Sequence, residues 1–159
     1  GQGNPNARLL FAGEGPGYHE DQQGLPFVGK AGALLERMIA AMGLQRNDVY
    51  ICNVVKCRPP KNRDPEADEV LACRPFLRAQ VRSVQPEVIV TLGRFATQVL
   101  LETTAPIGRL RGQFRDYLDI PLMPTFHPAD LLRNPNEKRS AWEDLKQVMH
   151  RLGLQEAQH

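Results

Sequence analysis

Short apolar runs recur along the chain at 8–12, 49–55, 87–92 and 122–126, and most are separated by stretches with helical spacing. A continuous apolar run of this length, bounded by turn residues, predicts a strand covered on both faces. Between the first two runs, Leu34, Leu35, Met38, Ile39 and Met42 repeat at intervals of three and four, and Gly43 supplies a stop, which predicts a short amphipathic helix. Asp64-Pro65-Glu66 opens a second helix, with Asp as N-cap and Pro at the first helical position. Val70, Leu71, Leu77, Val81 and Val84 continue its apolar face, and Pro75 predicts a kink. Phe95 to Leu101 forms a third helix, and Trp142, Leu145, Val148, Met149 and Leu152 mark a last one before Gly153. Strands alternating with helices predict an α/β fold, a three-layer α/β/α sandwich around a central, mostly parallel four-stranded sheet with right-handed crossovers.

Composition narrows this picture without redirecting it. The 159 residues are enough for one domain with a core and too few for two of ordinary size, so residues 1–159 are read as a single domain. Hydrophobic residues make up 42% and charged residues 24%, an ordinary globular balance. No apolar run approaches the roughly 18 residues of a membrane span, and no signal peptide precedes the first strand, so the expected location is the cytoplasm with no membrane partner.

The net charge of +2 does not by itself argue for a polyanionic partner, but the basic residues are unevenly placed. Residues 56–63 carry Lys56, Arg58, Lys61 and Arg63; a second group is Arg109, Arg111 and Arg115, and a third is Arg133, Lys138 and Arg139. Each alone reads equally well as a solvated loop; the three together lean towards a polyanion. Cys52, Cys57 and Cys73 are an odd number of thiols, which disfavours a disulfide framework and leaves metal ligation or plain burial.

In open α/β sheets the ligand sits outside the carboxyl ends of the strands. Four chemically loaded segments follow those ends: Gly13 to Glu20, Asn53 to Arg63, Gly93, and His127-Pro128. In the first, GEGPG carries Glu14 among glycines that permit close approach to a flat ligand, and Glu20 follows; two exposed acids are the plain alternative. Phe27 is either a core anchor or a stacking platform for a flat ring. Asn53 offers a donor and an acceptor side by side, as the edge of a pyrimidine requires, or else caps a turn. His127 is either a satisfied structural histidine or a polarising, proton-handling group at a strand end.

These segments add up to a resemblance. The chain resembles the family 4 uracil-DNA glycosylases, the iron–sulfur class of the uracil glycosylase superfamily. The resembling motifs are GEGPG with Glu20-Asp21, GLPFVGKAG at Gly24 to Gly32, NVVKCRPPKNRDP at Asn53 to Pro65, Cys73, and HPADLLRNP at His127 to Pro135, in that order.

The resemblance implies a monofunctional enzyme that turns uracil out of DNA and hydrolyses its N-glycosidic bond, leaving an abasic site. It implies that Glu14 faces the sugar and the attacking water, that Gly15 and Pro16 line the uracil pocket, and that Glu20 shapes the space beside C5 and refuses thymine. It further implies that Phe27 stacks on uracil, Asn53 reads its O4 and N3 edge, and His127 stabilises charge on O2. Leu131, Leu132 and Arg133 match the loop that enters the duplex, and Arg58, Lys61 and Arg63 are assigned to the DNA backbone. Gly15 stands where well-known superfamily members outside this class carry aspartate, so Glu14 is the first candidate to handle water and Glu20 the second.

Family 4 enzymes also hold a [4Fe-4S] cluster through four cysteines, two of which match Cys57 and Cys73. Cys52 lies on a strand and is assigned to packing. Residues 1–5 look like family sequence that follows the other cysteine pair, so a short amino-terminal segment bearing that pair is expected to be missing from the 159 residues. The expected partner is uracil-containing DNA, single- or double-stranded, and the expected state a monomer. The alternatives are a module of the same superfamily that captures or crosslinks uracil-DNA with little turnover, and a nucleotide-binding protein using 13–17 as a phosphate loop. The first is disfavoured because 56–63 has no histidine, the second because the loop lacks a Lys-Ser/Thr ending and carries acids.

Overall fold

The computed structural model describes residues 2–13, 29–53 and 78–154. Among these residues six strands form one sheet: β1 (Gln2–Gly3), β2 (Leu9–Gly13), β3 (Tyr50–Asn53), β4 (Val88–Leu92), β5 (Arg115–Tyr117) and β6 (Ile120–Thr125), in the order β1-β3-β2-β4-β6-β5. The four middle strands run parallel, and these are the four that the apolar runs predict. The helices are α1 (Lys30–Ala41), α2 (described over 78–84), α3 (Arg94–Leu101), α4 (Ile107–Leu110), α5 (Pro128–Arg133) and α6 (Lys138–Leu152). The predicted start of α2 at Asp64-Pro65 and its kink at Pro75 lie outside the described residues.

Alternation along the strands divides the apolar residues into two cores. Leu9, Phe11, Ile51, Val90 and Met123 face one way, where α1 contributes Leu35 and Ile39 and α6 contributes Leu145, Val148 and Met149. Leu10, Ala12, Cys52, Ile89 and Leu122 face the other way, against Val81 and Val84 of α2 and Ala96 and Leu100 of α3. Every residue of β2 and β4 is buried, because helices cover both faces of the sheet and strands lie on both sides. Each large aliphatic side chain so buried contributes about 1.5–3 kcal/mol, which is why unbroken apolar runs were needed here.

The two edge strands are antiparallel additions to the expected four-stranded sheet. β1 is two residues long, and Gly3 adopts φ +126° where a Cβ would lie 2.0 Å from the carbonyl oxygen of Val49. Only glycine allows the chain to pass that close. β5 joins β6 through Leu118-Asp119, both at positive φ (51° and 67°), the conformation of a two-residue hairpin whose twist matches its strands. Pro124 lies within β6, and its carbonyl accepts from the Gly112 N–H at 3.2 Å. A residue's N–H and C=O point to the same side of a strand, so the missing donor falls away from β4 and costs the parallel ladder nothing.

The helix ends follow their sequence signals. α6 stops at Gly153, whose φ of 74° lets its N–H reach the carbonyl of His150, while the Leu154 N–H reaches that of Met149. α1 ends at Ala41, with Gly43 at φ +84° just beyond.

Candidate functional site

Strand register brings the carboxyl ends of the four parallel strands level with one another. Gly13 pairs with Asn53, Ala12 with both Cys52 and Thr91, and Leu92 with Thr125, so four parallel strands finish at nearly one level. Residues 14 and 54, Gly93, and Phe126-His127 follow directly on those ends. Glu14, Gly15, Pro16, Glu20, Phe27, Cys57, Arg58, Lys61, Arg63 and Cys73 lie outside the described residues, as does the side chain of Asn53.

His127 is the expected site residue whose chemistry is most fully defined. It is the N-cap of α5, and its Nδ1 accepts a hydrogen bond from the Ala129 backbone N–H at 3.0 Å. An accepting Nδ1 assigns the proton of the neutral ring to Nε2. Burial lowers the imidazole pKa to about 4, against a raising contribution from Asp130, while Arg133 lowers it further. The ring is therefore neutral at physiological pH, a donor through Nε2 that carries no positive charge of its own.

Gly93 fixes where that ring stands. It leaves β4 at φ +92°, donates its N–H to the Thr125 carbonyl at 2.8 Å, and lies so close to His127 that an added Cβ would come within 2.8 Å of the histidine Cβ. The glycine thus allows the ends of β4 and β6 to close together behind the imidazole.

Behind the same corner lies a buried polar cluster that the sequence reading missed. Asp144 of α6 is fully buried, and its carboxylate accepts from Nε of Arg111 at 3.0 Å, from Nη2 of the same guanidinium, and from the Thr125 hydroxyl at 2.7 Å. Arg111 Nη2 also donates to the Ser140 carbonyl at 3.3 Å, and the guanidinium carbon lies 5.8 Å from the centre of the Phe126 ring. Its hydrogen bonding to Asp144 raises the Arg111 pKa, with burial opposing. Arg111 is half-buried, and its charge is paired with a buried carboxylate. One signal was available: Asp144 falls on the apolar stripe of α6, three residues after Ala141 and one before Leu145.

Leu131 requires a correction. It is 1% exposed and packs with Leu34 and Ala141, so it is part of the α1–α5–α6 contact and cannot enter a duplex without opening that core. The next two residues point outward: Leu132 is 39% exposed, and Arg133 is exposed and paired with Asp130. Cys52 is fully buried in the α2–α3 face of the sheet, consistent with packing. Among the described residues, no group of three or more His, Cys, Asp or Glu side chains could hold a metal ion, and no helix is long and apolar enough to cross a membrane.

Comparison with known proteins joins this geometry to a lineage. The sequence profile of the Uracil DNA glycosylase superfamily matches residues 1–146. The chain belongs to that superfamily. Within it, a type-4 uracil-DNA glycosylase of Saccharolobus solfataricus is 47% identical over 161 residues, covering 96% of this chain and 74% of the relative. A type-4 uracil-DNA glycosylase of Thermotoga maritima is 48% identical over 152 residues, covering 93% and 79%. A type-5 uracil-DNA glycosylase of Pyrobaculum aerophilum is 33% identical over 168 residues, covering 94% and 72%. The mostly parallel α/β sandwich described above is the fold of this superfamily member.

Proposed function

We propose that this chain is a DNA repair glycosylase that removes uracil from DNA. The observation that carries the proposal is His127: a neutral histidine locked in one tautomer at a strand-end rim, in a chain 47% identical to a type-4 uracil-DNA glycosylase.

The target base leaves the stack before it can be reached, at a cost of a few kcal/mol that is smallest in single strands and at mismatches. The bond from uracil N1 to the sugar breaks with its electron pair going to the base, and water adds to the sugar carbon. Uracil leaves as an anion and takes up a proton. His127 donates from Nε2 to the developing charge on O2; a preorganised donor of this kind serves the transition state more than the ground state. A neutral ring suits this role, since it needs no proton from solution at physiological pH. Glu14 orients the water and favours the cationic sugar, with Glu20 as the second candidate. Gly15 and Pro16 line the pocket, Glu20 excludes a C5 methyl, and Phe27 stacks on the ring. Asn53 rejects cytosine because a wrong edge leaves a buried amide unpaired. Arg58, Lys61 and Arg63 meet the phosphates, and Leu132 with Arg133 takes the duplex-facing role from which Leu131 is withdrawn.

A [4Fe-4S] cluster is part of this reading. Cys52 is buried in the core, so Cys57 and Cys73 are the thiols of this chain suited to hold one, two of the four ligands such a cluster takes. When bound, it would tie residues 57 and 73 together as a structural crosslink. A brown protein whose visible absorption is lost in Cys57→Ser is the expected result.

The function is tested with labelled oligonucleotides carrying U, T or C, treated with alkali after incubation. Cleavage at U alone is expected, falling roughly a hundredfold or more in Glu14→Ala, Asn53→Ala and His127→Ala. No cleavage by the intact, cluster-loaded protein overturns the proposal, and retention of uracil-DNA without release of uracil would identify a capture module instead.

A further inference from the structure

The Arg111–Asp144–Thr125 cluster lies behind the corner that carries His127 and, among the described residues, makes its hydrogen bonds with residues that are not assigned to substrate. We propose that it is a positioning clamp for His127, and that Arg111, Asp144 and Thr125 set the excision rate through the orientation of that ring. The inference rests on the reading of His127 as the group that meets uracil O2.

The argument begins with satisfaction of charge. A carboxylate buried without partners would cost several kcal/mol, but Asp144 has three donors on its two oxygens. Arg111 presents a two-pronged fork to it, a geometry that fixes orientation as well as distance. Among the described residues, the strand residue that this pair grips is Thr125, the last residue of β6 and two before His127. The same guanidinium faces Phe126, the residue in between. From the other side, Gly93 binds the Thr125 carbonyl and abuts the histidine Cβ.

Thr125 is therefore held at its hydroxyl by α6 and at its carbonyl by the end of β4. These two holds define the direction in which the chain leaves the sheet. Residues that act as one polar network behind a reacting group fix its geometry without touching the substrate. A displacement of about 1 Å at such a group can cost up to a hundredfold in rate.

Thr125→Val removes the hydroxyl and keeps the side-chain shape, while Thr125→Ser keeps the hydroxyl. Arg111→Lys keeps the charge and removes the fork. In the full-length, cluster-loaded protein near neutral pH, imidazole nitrogen NMR is expected to show a single neutral Nε2–H tautomer for His127 in the wild type and in Thr125→Ser. Mixed or exchange-broadened His127 signals are expected in Thr125→Val and Arg111→Lys. Single-turnover excision is expected to fall about tenfold in the latter two with little change in uracil-DNA binding, and to be restored in Thr125→Ser. Adding Thr125→Val to His127→Ala should cost nothing further.

Unchanged His127 signals in Thr125→Val and Arg111→Lys overturn the clamp, as does a rate loss that persists undiminished in the His127→Ala background. If the wild-type protein excises no uracil, the proposed function fails, yet the NMR comparison still decides whether the clamp orients the ring.

Discussion

At the scale of single residues, His127 makes the pH dependence of this protein specific. Its folded pKa of about 4 lies below the usual value of 6.5, so between these values the unfolded chain binds a proton that the folded chain refuses. Stability is therefore complete above about pH 6.5, falls as pH is lowered towards 4, and levels off below it, with roughly 3 kcal/mol lost from this group. Denaturant melts from neutral to acid pH check this, since the slope assigned to His127 should disappear in His127→Gln. Gly93 offers a second test. Alanine there meets both an unfavourable φ of +92° and the histidine Cβ at 2.8 Å, so Gly93→Ala should lose about 2–3 kcal/mol and excision activity with it. Gly153→Ala is the matched control: its φ is +74° but nothing lies within 4 Å, so about 1 kcal/mol and no activity should be lost.

At the scale of elements, α5 turns two neighbouring leucines into opposites. Leu131→Ala should cost about 2–5 kcal/mol in thermal or chemical unfolding, because it opens a cavity between α1 and α6. Leu132→Ala should change stability by less than about 0.5 kcal/mol while weakening excision from duplex more than from single-stranded DNA.

The sequence could not separate these two leucines, because adjacent residues on a six-residue helix lie about 100° apart and either could face inward. The four parallel strands and the helices α1, α3 and α6 were legible because burial on both faces demands unbroken apolar runs, and half-buried helices demand a spacing of three and four. The edge strands were not. β1 is two residues long, and the β5–β6 turn uses Leu118, an exposed leucine at φ 51° that is no turn former. The strand-end position of His127 could be read from its place after an apolar run. The partners of Arg111 could not, because local charge marks a surface loop and only the path of α6 brings a carboxylate beneath it.

At the scale of the whole molecule, the sheet separates two cores that share no side chain among the described residues. Ile39 lies on one side of it and Leu100 on the other, so the losses from Ile39→Ala and Leu100→Ala should add within about 0.5 kcal/mol in the double variant. A larger deviation in chemical unfolding would mean that the sheet transmits strain between its faces.

The strand order carries a consequence for how the protein is made. β2, the first of the parallel strands in the chain, sits between β3 and β4, and β6 joins outside β4 only after more than a hundred further residues. Distant pairings of this kind form slowly, because loop closure precedes any gain from contact. During synthesis, a chain that has released only its first three parallel strands already owns the Gly13–Asn53 pair, yet it does not have His127 to place beside Gly93. One that has reached His127 still lacks Asp144. The last long helix thus completes the corner behind His127, because only after its release can Arg111 and Thr125 find their carboxylate.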